Sequence, residues 1–285
     1  MKSFNKVALK GRLHSYELEV KDTDNGEAIA GTVSIEASED GAIVDVRFFA
    51  KPKYKSGKIN KTYNILEDMI AGNYLTIVND GADADWISID GEINIDYYVG
   101  RDGAKSVDDL GKSQKIRGSF VNANKNHDYE NSWRCDMLIT RVEEIEEDAE
   151  KNRAHAARIH GYILDSFNER ALGAKFDVVD EAAMNYVLGL AVEQENPLYS
   201  SVRGEFRKIT TLIKREGAFS DDEIIEYDDL KWVLTWMPKG AYTFGEDITE
   251  DEYKAYLANL DEYKKEKFED GAKKAEKDEK DNLVF

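Results

Sequence analysis

Asn5-Lys6-Val7-Ala8-Leu9-Lys10-Gly11-Arg12-Leu13 alternates with period two. Val7, Leu9 and Leu13 fall on one face, while Lys6, Lys10 and Arg12 fall on the other, the pattern of a half-buried strand with a basic outer face. Gly11 inside such a strand marks a bulge or a bend, as at the corner of a barrel. Two more strands are expected at about 28–37 and 42–51, joined by the turn residues Glu39-Asp40-Gly41. A helix follows at 64–71, where Ile65, Leu66, Met69 and Ile70 recur at helical spacing and Gly72-Asn73 closes the run. Strands resume at 86–98, with Ile87, Ile89, Gly91, Ile93 and Ile95 in alternation, at 115–123 and at 133–142.

Strand, strand, strand, helix, strand, strand is the order of an OB-fold, a small five-stranded barrel with its helix between strands three and four. The second half reads as a shortened repeat. Residues 157–164 have the strand-glycine-strand form of 7–13, with Gly161 in the place of Gly11; Val202-Arg-Gly-Glu-Phe206 parallels Ile89-Asp-Gly-Glu-Ile93. Further strands are expected at 176–179, 186–192 and 231–236, with no room for a second helix. The fold class expected is mainly β with some α: two OB-like barrels in tandem, a C-terminal helix and a flexible acidic tail. The boundaries are 1–145 for the first barrel, 150–240 for the smaller second one, 246–270 for the helix and 271–285 for the tail. The helix opens on the capping box Thr249-Glu-Asp-Glu252 and carries the stripe Tyr253, Tyr256, Leu257, Leu260 and Tyr263.

At 285 residues the chain is long enough for two cores without metal or disulfide staples. One cysteine, Cys135, excludes an intrachain disulfide framework and fits a reducing compartment. No apolar run reaches a membrane span, and the first residues have no signal-peptide core, so a soluble, cytoplasmic protein is expected.

The net charge of −19 argues against a nucleic-acid partner only if it is evenly spread. It is not: the first 140 residues carry −5 and the remainder −14. The stretch 51–61 holds Lys51, Lys53, Lys55, Lys58 and Lys61 with no acid, and 111–125 holds Lys112, Lys115, Arg117 and Lys125 with none. A third basic run spans 199–216, with Arg203, Arg207, Lys208, Lys214 and Arg215 against two glutamates. Each could be only a solvated face. Interleaved cations and rings are, however, what sequence-tolerant single-strand binding needs, since phosphates meet the cations and bases stack on the rings.

With these elements in place, 5–13, the helix running into 86–93, and the ending Asp278-Glu279-Lys280-Asp281-Asn282-Leu283-Val284-Phe285 resemble the bacterial and phage single-stranded DNA-binding proteins. The resemblance covers about the first 125 residues and the last eight. It departs in the extra middle segment, in Lys280 within the acidic run, and in the lack of a Gly/Pro/Gln-rich linker; a two-barrel, phage-encoded member fits these departures. It implies coating of single-stranded DNA during replication, recombination and repair. The tail, with Asp278, Glu279, Asp281, Leu283, Val284 and Phe285, would dock on replication and repair proteins and compete with DNA for the basic groove. Lys6, Lys10, Arg12, Lys51, Lys53, Lys55, Lys58, Lys61, Lys115 and Arg117 would line that groove. Arg203, Arg207 and Lys208 would extend it onto the second barrel. Candidate stacking platforms are Tyr54, Trp86, one of Phe48 and Phe49, and one of Tyr97 and Tyr98, because neighbours on a strand face opposite sides. Trp133, Trp232 and Trp236 are assigned to cores.

Four scattered histidines (His14, His127, His155, His160) make no metal site, no phosphate-binding glycine loop is present, and mid-strand Cys135 reads as a buried hydrophobe. No cofactor, small-molecule substrate or catalytic residue is expected. The rival class is a structural or interaction protein, such as a two-domain β module of a virion or an acidic DNA mimic; a mimic would spread carboxylates over one face and lack a basic groove.

Overall fold

The computed structural model describes residues 4–23, 26–100, 103–148, 152–165, 169–192, 197–215, 223–238 and 248–282. The first five strands are β1 (Asn5–Thr23), β2 (Gly26–Glu36), β3 (Ile43–Ala50), β4 (Trp86–Tyr98) and β5 (Gly111–Ala123). Between β3 and β4 lie α1 (Lys61–Ile70) and the single turn α2 (Ile77–Asp80). The strands pair in the order β2-β3-β5-β4-β1, and an added β1–β2 pairing closes the ring. Every pairing in it is antiparallel except β3–β5, in register at Val46↔Ile116 and Arg47↔Arg117. This is the expected OB-fold order. Alternation fills the interior: Val7, Leu9, Val33, Ile35, Val44, Val46, Ile87, Ile89, Ile93 and Ile116 are buried, and α1 packs Tyr63, Leu66 and Met69 against them. Asn60 starts α1 by accepting a hydrogen bond from the Thr62 amide, 3.1 Å, and ties the loop base by donating to Lys51 O, 3.0 Å. Gly11 is required by close approach, since a Cβ there would lie 1.8 Å from Glu36 O; the bulge itself falls between Leu13 and Ser15.

The second ring uses β6 (Glu130–Ile145), β7 (Ala156–Asp165), β8 (Arg170–Val178), β9 (Leu198–Arg215) and β10 (Glu223–Trp236). Its order, β6-β7-β8-β10-β9, is closed by a β6–β9 pairing, and β8–β10 is the parallel pair. The repeat is therefore real but starts one strand earlier than the glycines suggested. β6 is the counterpart of β1, and Gly161 belongs to the second strand of its ring, opposite Ile139. Gly204 does correspond to Gly91: Trp133 pairs with Gly204 as Val7 pairs with Gly91. The room for the Trp133 indole comes from Gly204, where a Cβ would meet the ring at 2.1 Å.

Two further expectations are corrected. Residues 186–192 are not a strand, and the second ring does have its helix: α3 (Glu181–Leu188), capped by Asp180, which accepts from the Ala183 amide at 2.9 Å. It buries Met184 and Val187. The C-terminal helix, α4 (Glu250–Asn282), runs on past Gly271 through the stretch expected to be a flexible tail. Gly271 is not its terminus but a point of close packing on Val99. Residues 283–285, the apolar tip, lie outside the described residues, as do the side chains of Asp278, Glu279 and Asp281.

The two rings join through their first strands, β1 antiparallel to β6. The register has a local twofold character: Asn5↔Cys135 is mirrored by Leu9↔Asn131 when the equivalent positions of β1 and β6 are exchanged. Within the second ring Trp133 stacks on Phe176 at 4.1 Å with Trp232 beside them, and the buried residues of the two rings form one continuous cluster.

Candidate nucleic-acid interface

The loop between β3 and α1 is a small hairpin. Lys53 and Ile59 form a bridge, the Tyr54 amide donates to Lys58 O at 2.9 Å, and Gly57, with φ +79°, makes the turn that a side chain would strain. Alternation and turn together leave Lys53, Lys55, Lys58 and Lys61 exposed, with Lys51 half-buried. Among the described residues none of these five lysines makes an ion pair. Tyr54 and Ile59 are exposed beside them.

The rings next to this loop are not all those named in advance. On β3 the inner series is Val44, Val46, Phe48 and the outer series Ile43, Asp45, Arg47, Phe49. Phe48 is therefore core, its ring packed where a Cβ on Gly118 would lie, and Phe49 (57% exposed) is the ring of the pair that faces solvent. The same logic corrects Tyr97, which is buried edge-on against Tyr263 of α4 with its hydroxyl pKa pushed up to about 12 by burial; Tyr98 is the exposed neighbour. Phe120, on β5 next to β3, is a further exposed ring. Trp86 is half-buried, stacked on His127 at 5.5 Å and against Tyr129 at 4.9 Å, so one indole face is already used. Trp236, assigned to a core, is exposed under the guanidinium of Arg203, 4.9 Å away.

The strand cations expected to line the basic groove differ from the loop cations in one respect: apart from Arg203, which lies over Trp236, they are paired. Lys6 meets Asp90 (3.1 Å), Lys10 meets Asp128 (3.2 Å) and Glu130 (3.1 Å), and Arg12 meets Glu36 (3.7 Å). Lys115 meets Asp96 (3.4 Å), Arg117 meets Glu92 (2.5 Å), Arg207 meets Glu205 (2.5 Å) and Lys208 meets Asp228 (2.8 Å). Donating to the carboxylates of Glu130 and Asp128 raises the Lys10 pKa, and burial raises that of Glu92 against the pull of Arg117. A phosphate arriving here must displace a carboxylate; at the β3–α1 loop it need displace only water and counterions.

Between the two rings runs a groove. One cavity of about 360 Å³ is walled by Arg47, Lys115 and Gln114 of the first ring and by Phe206, Leu230 and Trp232 of the second. It continues into another of about 290 Å³ with Lys112, Lys175 and Lys231 on its sides. Gln114 fixes the spacing by accepting from the Lys175 amide (3.0 Å) and donating to Lys175 O (3.3 Å), as a neighbouring strand would. Alternation on β3 puts Arg47 on the outer series, whereas only the tertiary fold brings Lys175 and Lys231 to Lys112. Among the described residues no group of His, Cys, Asp and Glu could hold a metal ion, and no helix is long and apolar enough to cross a membrane.

A family model described as YorF matches residues 3–200. No curated protein matches the sequence. Among solved structures, a deletion variant of the single-stranded DNA binding protein from Thermus aquaticus superposes with a TM-score of 0.51 at 12% identity, covering 86% of this chain and 98% of that one. The wild-type protein from Thermus aquaticus gives a TM-score of 0.48 at 13% identity, over 87% and 99% of the two chains. The first of these likenesses extends the two-ring fold over nearly the whole of a known structure.

Proposed function

The chain belongs to the YorF family, and we propose that it is a single-stranded DNA-binding protein, acting by binding without chemistry. The observation that carries this reading is the β3–α1 loop: five lysines, none in an ion pair among the described residues, beside the exposed rings of Phe49, Tyr54 and Phe120. Cations that must otherwise be neutralised by counterions, set next to solvent-facing rings, are the two parts of a sequence-tolerant single-strand site. The fold shared with the Thermus aquaticus structure supports the same reading. In it the protein coats and protects single strands during replication and recombination in the cytoplasm, and the acidic chain end recruits partner proteins. An acidic DNA mimic, the rival reading, has no use for an unpaired lysine loop. The test is a fluorescence titration with oligo-dT and with duplex at several salt concentrations, on the full chain and on a form lacking 272–285. That truncation keeps the Gly271 contact with Val99. Salt-steep binding of dT, well above duplex, is expected, with the truncated form binding at least as tightly. No binding by either form at low salt would sink the reading.

A further inference from the structure

At the junction of the two rings three cations stand together, and among the described residues two of them, Lys112 and Lys175, make no ion pair. Lys112 comes from β5, Lys175 from β8 and Lys264 from α4. Lys112 is the wall shared by two cavities, one of about 290 Å³ that Lys175 also lines and one of about 350 Å³ that Lys264 also lines. Its ammonium lies over Gly173, where a Cβ would sit 2.9 Å from Nζ and 3.3 Å from the Tyr97 hydroxyl; Gly173 thus makes the seat. Lys264 Nζ is 5.4 Å from the centre of the Tyr97 ring and reaches Asp261 of its own helix only at 3.9 Å. The acids facing the junction are mostly committed. Asp177 is held by Arg158 at 2.5 and 3.0 Å, Asp229 by Lys231, and Glu143 by His160 at 2.8 Å, which leaves Asp108 on the rim and Asp261 beside Lys264.

The cost of this arrangement shows in Lys112. Although open to solvent, it sits on the floor of a concave groove. Crowding by protein atoms, then repulsion from Lys175 and Lys264, pushes its pKa down to about 8. An anion in the groove would reverse that repulsion. Trp232, braced edge-on by Phe206 at 4.5 Å, supplies an apolar wall to the first cavity, so both a charge and a flat ring can be accommodated.

We propose that the junction is a phosphate site in which Lys112, Lys175 and Lys264 receive phosphate groups of a single strand crossing from the first ring to the second. The strand as the source rests on the function proposed above; the site itself does not. The experiment has two arms on the full chain. In the first, dT oligonucleotide affinity is followed against salt for the wild type and for K112Q/K175Q. Loss of two phosphate contacts is expected to lower the slope of log K against log salt by about 1.4 and to weaken binding about tenfold near 0.1 M salt. In the second, Lys112 of the wild type is acylated at pH 8 and quantified by mass spectrometry, with dT or with pyrophosphate as protectant. Protection by dT together with the flatter slope supports the strand crossing. Equal protection by pyrophosphate at matched phosphate concentration supports the site with free phosphate as its source. Unchanged slope and no protection, in a protein that still binds dT, overturns the site and leaves the DNA reading standing. No dT binding and no pyrophosphate protection overturns both.

Discussion

Asn131 bonds the backbone of Phe206 through both ends of its amide, donating to the carbonyl at 2.7 Å and accepting from the N–H at 2.8 Å. Asn5 does the same to Ile93, at 2.9 Å in each direction. Each asparagine stands at the head of the first strand of its ring, where the strand runs out and its amide takes over the ladder to the fourth strand. The pair marks the repeat more faithfully than the glycines do. Asn131→Ala leaves a donor and an acceptor of Phe206 unpaired beside the core and is expected to lower stability by about 1–3 kcal/mol. Urea unfolding measures this, and a change within experimental error would show that water takes over both bonds.

Phe48 and Phe49 are adjacent in sequence and opposite in role. Phe48→Ala empties a core position and should cost about 3–5 kcal/mol of stability. Phe49→Ala should leave the melting temperature nearly unchanged while weakening dT binding by about 1–3 kcal/mol, the value of one base-ring stack. The two variants are compared by thermal unfolding and by titration. If Phe49→Ala binds dT as well as the wild type, the outer face of β3 is not a stacking platform.

Five lysines without an ion pair among the described residues and a set of paired strand cations predict different salt behaviour. Replacing Lys51, Lys53, Lys55, Lys58 and Lys61 by Gln should reduce the slope of log K against log salt by about 3.5, one contact of about 0.7 for each lysine. Replacing Lys6 and Lys10 should reduce it by less than two contacts' worth, since Asp90, Asp128 and Glu130 already neutralise them and must first be released. Equal reductions per lysine would show that the strand pairs open freely.

Strand alternation is a local property, so the sequence shows that only one ring of each adjacent pair, Phe48/Phe49 and Tyr97/Tyr98, can face outward. The polar Asp45 and Arg47 already place Phe49 on the outer series of β3, and Asn94 and Asp96 do the same for Tyr98 on β4. Where the reading failed, a local signal misled or a distant one was needed. The apolar run through Val187, Leu188 and Leu190 reads as a strand, yet the Asp180 cap makes the preceding turn helical, so Val187 and Leu188 close α3 and Leu190 lies just past its Gly189 cap. Gly161 imitates Gly11 because both let a neighbouring strand come close, one at Leu138 O and the other at Glu36 O, although they occupy different strands of the repeat. The junction had no local signature at all: Lys112, Lys175 and Lys264 meet only after both rings and α4 are in place.

The junction also predicts how stability depends on pH. Unfolded, Lys112 keeps its proton up to its ordinary value of 10.5; folded, it releases it near 8. Between those values the unfolded chain binds more protons, so raising the pH through this window favours the folded state as far as this group is concerned. Tyr97 and Tyr253, pushed up to about 12 by burial, act the opposite way, but only above about pH 10. The informative range is therefore pH 7 to 10. There Lys112→Gln, which has no charge to relieve, should be more stable than the wild type at pH 7, and its advantage should shrink steadily toward pH 10. Chemical unfolding of both proteins across that range checks it. A constant difference would mean that Lys112 titrates alike in the folded and unfolded chains, and that its two lysine neighbours do not press on it.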